Sequence, residues 1–384
     1  MKKIGSLILA LILVFALTAC GGSSSNNPPA ANTPAANAPA ADAPAANTPA
    51  ANAPAANAPA SPEPAVTTTA WNPDNIGNHT FILAHGMPET SQVGMQYNEF
   101  AVAAEELSGG KIKVEQRINA TLVTDAQTLD ALMDGTIDFC HSFASYVVGT
   151  ITDLAPLSIA GFYGGDDWPG FTTECHDIIS SIYADFGIKY LQPVFNGYSA
   201  FVCTDRQIVK PSDFSGMSTR VSGIWVAKTV ETWGGAPTTI DLGDLADAFS
   251  KKTVQAMPNG LNIIVPYKIY ESTQYVTFTS IAEGFGGLLM NGDTWASLNA
   301  DEQMLIEEAA KVFKANAYAI SVENLAGYEK TIEDEGRNTV YRLTPAEQQE
   351  FVSQALTLYT EMEQEVGPKG IDLINILKSI NGVS

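Results

Sequence analysis

Short apolar runs alternate with amphipathic stretches along the chain from residue 79 onward. The run "HTFILAHG" (79–86) has the length of a buried strand. The stretch "YNEFAVAAEELSGGKIKVEQR" (97–117) predicts an amphipathic helix that ends at Gly109 and Gly110 and is followed by a strand. A strand, a helix and a second strand therefore follow one another at the start of this region.

The same pattern continues further along the chain. A helix is predicted over 125–135, where Gly135 stops it, and "TIDFCHSF" (136–143) follows as another short strand. Two more strands are predicted within 187–205. Strands that alternate with helices in this way predict an α/β fold with mainly parallel sheets.

The C-terminal third is predominantly helical in pattern. Residues 299–336 predict a long helix, with Asn299 and Glu302 at the spacing of a capping box. Residues 344–367 predict a helix with Thr344 as its cap and proline at its first position. One face of this helix is apolar and indicates core packing; its members are Phe351, Ala355, Leu358 and Met362.

The N-terminus has a different character. Two lysines precede the apolar run "IGSLILALILVFAL" (4–17), which is too short for a comfortable membrane span and predicts an export signal over residues 1–20. "LTAC" followed by "GGSSS" resembles the bacterial lipobox, in which the cysteine is diacylated and becomes the mature N-terminus. By this resemblance Cys20 is a lipid anchor, palmitate or a similar acyl chain holding the protein on the cell membrane.

Residues 21–78 are rich in Ala, Pro and Asn, with prolines recurring every fifth residue. Proline blocks continuous helix, and few of these side chains are large enough to build a core. We therefore predict a disordered tether with a reach of roughly 40 Å, followed by a folded domain over 79–384.

The net charge of the chain limits the kinds of binding partner that we expect. The chain has 42 Asp and Glu against 20 Lys and Arg, a formal net charge of −22. Phosphate backbones need a basic surface, so nucleic acid is excluded as the expected partner. An acidic surface keeps the domain soluble and does not determine the charge of a small ligand.

Several segments in order resemble the substrate-binding proteins of TRAP (tripartite ATP-independent periplasmic) transporters over about residues 80–370. The segments that carry the resemblance are "LSGGKIKVEQ", "DAQTLDALMDGTID", "KPSDFSGMSTRV" with "GGAPT" after it, "YESTQYVTFT" and "WASLNADEQMLIEEAA". The resemblance implies a periplasmic-binding-protein-like α/β fold: two lobes joined by crossing strands and a long bent helix, with the ligand in the cleft between them. Lobe 1 is then about 79–196 with part of 286–384, and lobe 2 about 197–285 with part of the C-terminal helices.

The resemblance also implies site residues. The family's ligand-binding arginine corresponds to Arg220, which is expected to grip a carboxylate; a planar guanidinium matches a carboxylate with paired N–H groups. The alternative for Arg220 is a surface ion pair. Many members have a second arginine where this chain has Ser199, so a two-arginine clamp is absent there. Asn259 stands where an asparagine often contacts the ligand, although a turn residue before Gly260 is an alternative.

Loops at the carboxyl ends of parallel strands converge on such a crevice. Pro88 and Glu89 after the first strand, and Ser142, Phe143 and Ser145 after the third, are therefore further candidate wall residues. Phe143 as a core residue and Glu89 as a solvated one are the alternatives.

Two Cys-His pairs, at 140–141 and 175–176, suggest a zinc site as an alternative, and with it an extracellular metallohydrolase. Neighbours in a strand point to opposite faces, and no metal-binding or nucleophile motif is present. With Cys20 lipidated, the three remaining cysteines allow at most one disulfide or three buried thiols.

The expectation is therefore a binding protein outside the cytoplasm, not an enzyme, without metal or cofactor. It captures an organic acid and delivers it to a TRAP permease driven by an ion gradient. A lipoprotein that presents a solute to a membrane sensor stays open as an alternative.

Overall fold

The computed structural model describes residues 71–159, 161, 168–194, 196–282 and 284–381. The predicted signal segment, Cys20 and most of the predicted tether lie outside these residues. The strands of the described part are β1 (His79–Ala84), β2 (Ile112–Arg117), β3 (Phe139–Phe143), β4 (Ile188–Val194), β5 (Tyr198–Cys203), β6 (Ser218–Val221), β7 (Ala236–Thr239), β8 (Ala256–Gly260), β9 (Tyr275–Ala282), β10 (Gly286–Asn291) and β11 (Thr339–Arg342).

The α-helices lie mostly between these strands and in the C-terminal third. Their bounds are α1 (Gln92–Leu107), α2 (Thr128–Met133), α3 (Ala144–Val147), α4 (Trp168–Ala184), α5 (Ile224–Thr232), α6 (Leu245–Ser250), α7 (Leu261–Ile264), α8 (Gly292–Ser297), α9 (Ala300–Glu335), α10 (Pro345–Leu356), α11 (Tyr359–Glu365) and α12 (Pro368–Ile380). No helix of the described ranges is both long and apolar enough to cross a bilayer.

Two sheets organise the described residues into two lobes. The first sheet has the strand order β2-β1-β3-β10-β4, and the second has β11-β9-β5-β8-β6-β7. The α/β prediction is confirmed, but "mainly parallel" needs correcting because both sheets are mixed. β10 runs antiparallel to β3 and β4, and β5 runs antiparallel to β8 and β9.

The antiparallel strands are those that cross from one lobe to the other. β4 in the first sheet continues into β5 in the second, and β9 in the second sheet continues into β10 in the first. Between β4 and β5, Gly197 has a φ of 90°, and a Cβ there would lie 2.9 Å from Cδ2 of Leu325 in α9. The crossing is therefore tight and needs glycine at this turn.

Helix α9 contacts both lobes, in addition to the two strand crossings. Its 36 residues pack against α1 and β4 of the first lobe and against α7 of the second. The predicted capping box is confirmed: Glu302 N donates to Asn299 Oδ1 at 3.1 Å, and Asn299 N donates to Glu302 Oε2 at 2.9 Å.

The helix predicted over 344–367 is interrupted. The Thr344 cap and its box with Glu347 are present, but α10 ends at Leu356 and α11 begins at Tyr359. The four residues of its predicted apolar face are all buried, which confirms their packing role; they are Phe351, Ala355, Leu358 and Met362.

The folded unit begins earlier than residue 79. Trp71 and Ile76 are buried in the core, and Asp301 accepts hydrogen bonds from the Asn72 backbone and the Asn75 side chain. Residues 71–78 therefore belong to the domain and not to the tether. The asparagines and the proline of this segment made it resemble the tether in the sequence. Trp71 is the exception, because a disordered tether makes no use of a large aromatic side chain.

Candidate functional site

Arg220 lies on β6 and is almost completely buried, with 1% of its surface exposed. Its Nε donates a hydrogen bond to the carbonyl oxygen of Ile240 at 2.9 Å, and Nη2 donates to the hydroxyl of Tyr146 at 3.4 Å. None of the ion pairs among the described residues includes this guanidinium. The surface ion pair considered for Arg220 is therefore wrong. A buried cation whose hydrogen-bond partners among the described residues are neutral is costly, so the arrangement favours the binding of an anion.

The two lobes touch beside Arg220. Tyr146 belongs to α3, which follows β3 of the first sheet, whereas Arg220 belongs to the second sheet. Ser222 Oγ donates to Ser145 Oγ at 3.2 Å in the same region. A Cβ on Gly223 would lie 2.3 Å from the carbonyl oxygen of Ser145, so this close approach requires glycine.

A second contact between the lobes lies near the end of β1. Tyr267 Oη donates to the carbonyl oxygen of Gly86 at 3.2 Å. Gly86 follows β1 of the first sheet, and Tyr267 follows β8 of the second. The inter-lobe crevice is therefore bridged by a side-chain hydrogen bond at more than one point.

The guanidinium forms part of the wall of a pocket in this crevice. The space between its walls amounts to about 650 Å³, part of which is open solvent. Described residues from both lobes line it: Phe143, Ser145, Tyr146, Ser158, Ile159, Ser199, Arg220, Ser222, Val226, Thr229, Val230, Trp233, Leu242, Pro258, Asn259, Ile263 and Gly284. The mixture of apolar and polar side chains on its wall is typical of a small-molecule site.

Five of the sequence-predicted residues line this pocket together: Arg220, Ser199, Asn259, Phe143 and Ser145. In Asn259, Oδ1 accepts from the Gly260 N–H at 2.9 Å, and Nδ2 lies 3.9 Å from Met257 Sδ. The amide of Asn259 thus bonds to the backbone at the end of β8 and still presents a weakly bonded donor.

Ser142 and Glu89 are not among the residues that line the pocket. Ser142 is buried, with 1% exposed, in β3 beside Phe143, and Glu89 is exposed. A ligand role for either stays a prediction. Cys20 lies outside the described residues.

A second cavity adjoins the first, since Tyr146 and Leu242 line both. Asp125 from the first lobe and Asp241 and Asp244 from the second lie along its walls. Asp125 is 8% exposed, and its Oδ1 accepts from the Gly86 N–H at 2.9 Å. Burial raises the pKa of Asp125 to about 6; Asp241 raises it as well, whereas the Gly86 hydrogen bond and Arg220 lower it.

Two histidines are buried in the first lobe, and the ring of His141 packs against Phe143 of the pocket wall. His141 Nδ1 is 2.9 Å from the hydroxyl oxygen of Tyr97, which also donates to the Gly287 carbonyl. Burial lowers the pKa of His141 to about 3 and that of His85 to about 4. Both imidazoles are therefore neutral at physiological pH.

The structure shows whether the three remaining cysteines form a disulfide. Cys140, Cys175 and Cys203 are buried free thiols, so of the two alternatives three thiols is the observed one. Cys140 packs in the core cluster with Leu129 and Leu132, whereas His141 faces Tyr97. The described residues contain no group of three His, Cys, Asp or Glu side chains that could hold a metal ion.

Sequence reasoning missed Tyr146, Val226 and Trp233 as pocket residues. Tyr146 comes three residues after Phe143, so extending the strand-end argument by one turn would have found it. Val226 and Trp233 lie on α5 and at its end, where an apolar helix face gives no signal that distinguishes pocket from core.

Comparison with known proteins shows which family and which relatives this chain is similar to. The family of bacterial extracellular solute-binding proteins, family 7 (DctP), matches residues 83–365. The C4-dicarboxylate-binding protein DctB of Bacillus subtilis is 22% identical over 306 residues, covering 75% of this chain and 83% of DctB. The ectoine-binding periplasmic protein TeaA of Halomonas elongata is 24% identical over 210 residues, covering 53% of this chain and only 60% of TeaA.

Solved structures have the same fold. A TRAP periplasmic solute-binding protein from Shewanella oneidensis with bound succinate superposes with a TM-score of 0.73 at 20% identity, covering 79% of this chain and all of that one. The sugar acid binding protein DctPAm from Advenella mimigardefordensis, in complex with galactonate, gives a TM-score of 0.73 at 19% identity, covering 79% and 99%. The two-lobed α/β prediction is confirmed.

Proposed function

Because the chain belongs to the bacterial extracellular solute-binding proteins of family 7, we propose that it is a TRAP receptor that captures a small organic acid between its lobes. Arg220 binds the carboxylate, and the loaded protein delivers the acid to a membrane permease driven by an ion gradient. No covalent step is required, because capture and release are binding equilibria.

The observation that carries this proposal is the buried Arg220 guanidinium, which has two neutral hydrogen-bond acceptors and no anionic partner among the described residues. Guanidinium has five N–H donors, so the edge formed by Nη1 and Nη2 retains donors for a carboxylate. Nε already donates to Ile240. We therefore expect the ligand to bind end-on, across Nη1 and Nη2.

Ligand contacts from both lobes stabilise the closed arrangement over an open one. Arg220, Ser199 and Asn259 belong to the second lobe, and Phe143 and Tyr146 to the first. The crossing strands β4–β5 and β9–β10 are the natural hinge, since they are the strands that pass between the sheets. Relatives whose names or complexes include C4-dicarboxylate, succinate and galactonate support a carboxylate as the shared chemical feature.

The binding experiment is calorimetric titration of the mature protein with small organic acids chosen by a thermal-shift screen. Arg220→Met is expected to abolish or severely weaken binding of the best acid. Arg206→Ala is the matched control, because Arg206 is an exposed arginine of the same lobe that does not line the pocket. Equal affinity of Arg220→Met and the unaltered protein would refute the proposed role.

We also propose that the protein is held outside the cytoplasm by acyl chains on Cys20 and reaches the permease through its proline-rich tether. Two acyl chains are enough for stable membrane attachment. Mass spectrometry of the N-terminal peptide should find the acyl modification, and Cys20→Ser should release the protein into the soluble fraction.

Delivery is tested by uptake of the labelled acid into vesicles that contain the permease subunits. Uptake that depends on added binding protein and on an ion gradient supports transport. Binding without any uptake would favour the alternative, presentation of the solute to a membrane sensor.

A further inference from the structure

We propose that the pocket selects a monocarboxylate with a nonpolar body and rejects dicarboxylates and polyhydroxylated acids. This inference rests on the proposed function and specifies its ligand class. It follows from the charges, the hydrogen-bond donors and the apolar surface that line the pocket.

The pocket supplies a single cation. Arg220 is the only charged side chain among the described residues that line it. Residues 160, 162–167, 195 and 283, which fall outside the described ranges, contain no lysine or arginine in the sequence. The charged groups that interact with Asp125 in the adjoining cavity are Asp241 and Arg220 itself, so the ionisable surroundings of Arg220 are acidic. A second ligand carboxylate would be buried without a cationic partner, which should weaken binding on the order of 100-fold or more.

The pocket also has few free donors for ligand hydroxyl groups. Several polar side chains on its wall already donate their hydrogen atoms within the protein: Ser158 Oγ to the Ala155 carbonyl at 2.7 Å, Thr229 Oγ1 to the Trp225 carbonyl at 2.8 Å, Ser222 Oγ to Ser145 Oγ at 3.2 Å and Trp233 Nε1 to the Phe351 carbonyl at 3.2 Å. A sugar acid needs donors and acceptors for each of its hydroxyl groups. Apart from Arg220, the remaining donors on the wall include Asn259 Nδ2, 3.9 Å from Met257 Sδ, and the hydroxyl groups of Tyr146 and Ser145, which accept from Arg220 and Ser222.

The rest of the wall is apolar. The nonpolar members include Phe143, Ile159, Val226, Val230 and Ile263. Trp233 adds its ring, since its only polar atom is bonded to the Phe351 carbonyl. These side chains favour a ligand that is apolar away from its carboxylate.

Four six-carbon acids test this directly, because they differ only beyond the first carboxylate. Hexanoate ends in a methyl group, adipate in a second carboxylate and 6-aminohexanoate in an ammonium, and gluconate carries hydroxyl groups. Titration calorimetry is expected to show hexanoate binding on the order of 100-fold tighter than adipate, and tighter than gluconate. Arg220→Met is expected to remove hexanoate binding.

A gain-of-function variant tests the charge argument independently. Val226 is a half-buried wall residue on α5, so Val226→Lys adds a second cation to the pocket. It should raise adipate affinity at least about tenfold and weaken hexanoate. Val322→Lys is the matched control, because Val322 is exposed on α9 outside the pocket, and it should leave both affinities unchanged.

The outcomes separate this inference from the proposed function. Adipate or gluconate binding as tightly as hexanoate, through Arg220, would overturn the inference and leave the function standing. A preference for 6-aminohexanoate would also overturn it, because the acidic residues Asp125 and Asp241 would then form part of the ligand site. Hexanoate binding that survives Arg220→Met would contradict the proposed function itself. An unchanged ratio of hexanoate to adipate affinity in Val226→Lys would contradict the single-cation explanation.

Discussion

Replacing Arg220 by methionine separates a ligand-binding arginine from a structural one. Methionine has a similar length and no charge, so the change removes the hydrogen bonds to Ile240 and Tyr146 together with the buried cation. Each neutral hydrogen bond contributes about 1 kcal/mol, whereas a buried cation that makes no direct ion pair costs several kcal/mol. Without ligand, Arg220→Met should therefore be as stable as the unaltered protein, or more stable.

With ligand, the two proteins should differ strongly. At a ligand concentration of 100 times its Kd, the unaltered protein should gain about 2.7 kcal/mol of stability. Losing a buried charge-assisted contact costs about 2–5 kcal/mol of binding, which corresponds to a loss of about 30- to 4000-fold in affinity. Urea unfolding with and without the acid measures both quantities. A variant that is several kcal/mol less stable without ligand but keeps the ligand-induced gain would refute the reasoning.

Three further predictions concern titrating groups and the domain's N-terminus. The buried imidazoles of His85 and His141 have pKa values near 4 and 3, below the unfolded value near 6.5, so their stabilising effect is complete above pH 6.5 and is lost as the pH falls. For each histidine, the free energy of unfolding should fall by on the order of 2 kcal/mol between pH 6.5 and 5, as measured by urea denaturation. If this free energy depended on pH just as steeply in the His85→Gln, His141→Gln double variant, the prediction would be contradicted. Asp125 has a pKa near 6, above its unfolded value, so its ionised form opposes folding at neutral pH. The Asp125→Asn variant should therefore unfold at a higher urea concentration than the unaltered protein at pH 7. This difference should become smaller toward pH 4. Glu302 is buried and accepts three hydrogen bonds, so Glu302→Ala should lower the free energy of unfolding by about 1–3 kcal/mol. The control Glu323→Ala, at an exposed position of the same helix, should change it little, and equal effects would argue against the N-terminal attachment.

Local patterns predicted most of the secondary structure because the signals are local. The helix α1 ends before Gly109 and Gly110, both of which have positive φ, and the Asn299–Glu302 box begins α9 as its spacing predicts. The break between α10 and α11 was missed, since the apolar face continues through it to Met362. The mixed direction of the sheets was missed because the direction of each strand depends on how the chain crosses between the lobes. The sequence of a single strand contains no information about that crossing.

The site was predictable only in part, for a related reason. Arg220 was found through a motif, but its burial depends on Tyr146, which is 74 residues away in the sequence. The apolar wall is equally nonlocal, because Val226 and Phe143 approach each other only when both lobes are assembled. A local pattern therefore identified the charged residue and not the surface that surrounds it.

The central claim is that Arg220 binds the ligand's carboxylate between the lobes. A crystal structure of the protein with the acid that stabilises it most tests this directly. We expect both carboxylate oxygens to lie about 2.7–2.9 Å from Nη1 and Nη2 of Arg220, with Nε still bonded to the Ile240 carbonyl. A carboxylate bound elsewhere, with the guanidinium edge unoccupied, would contradict the account.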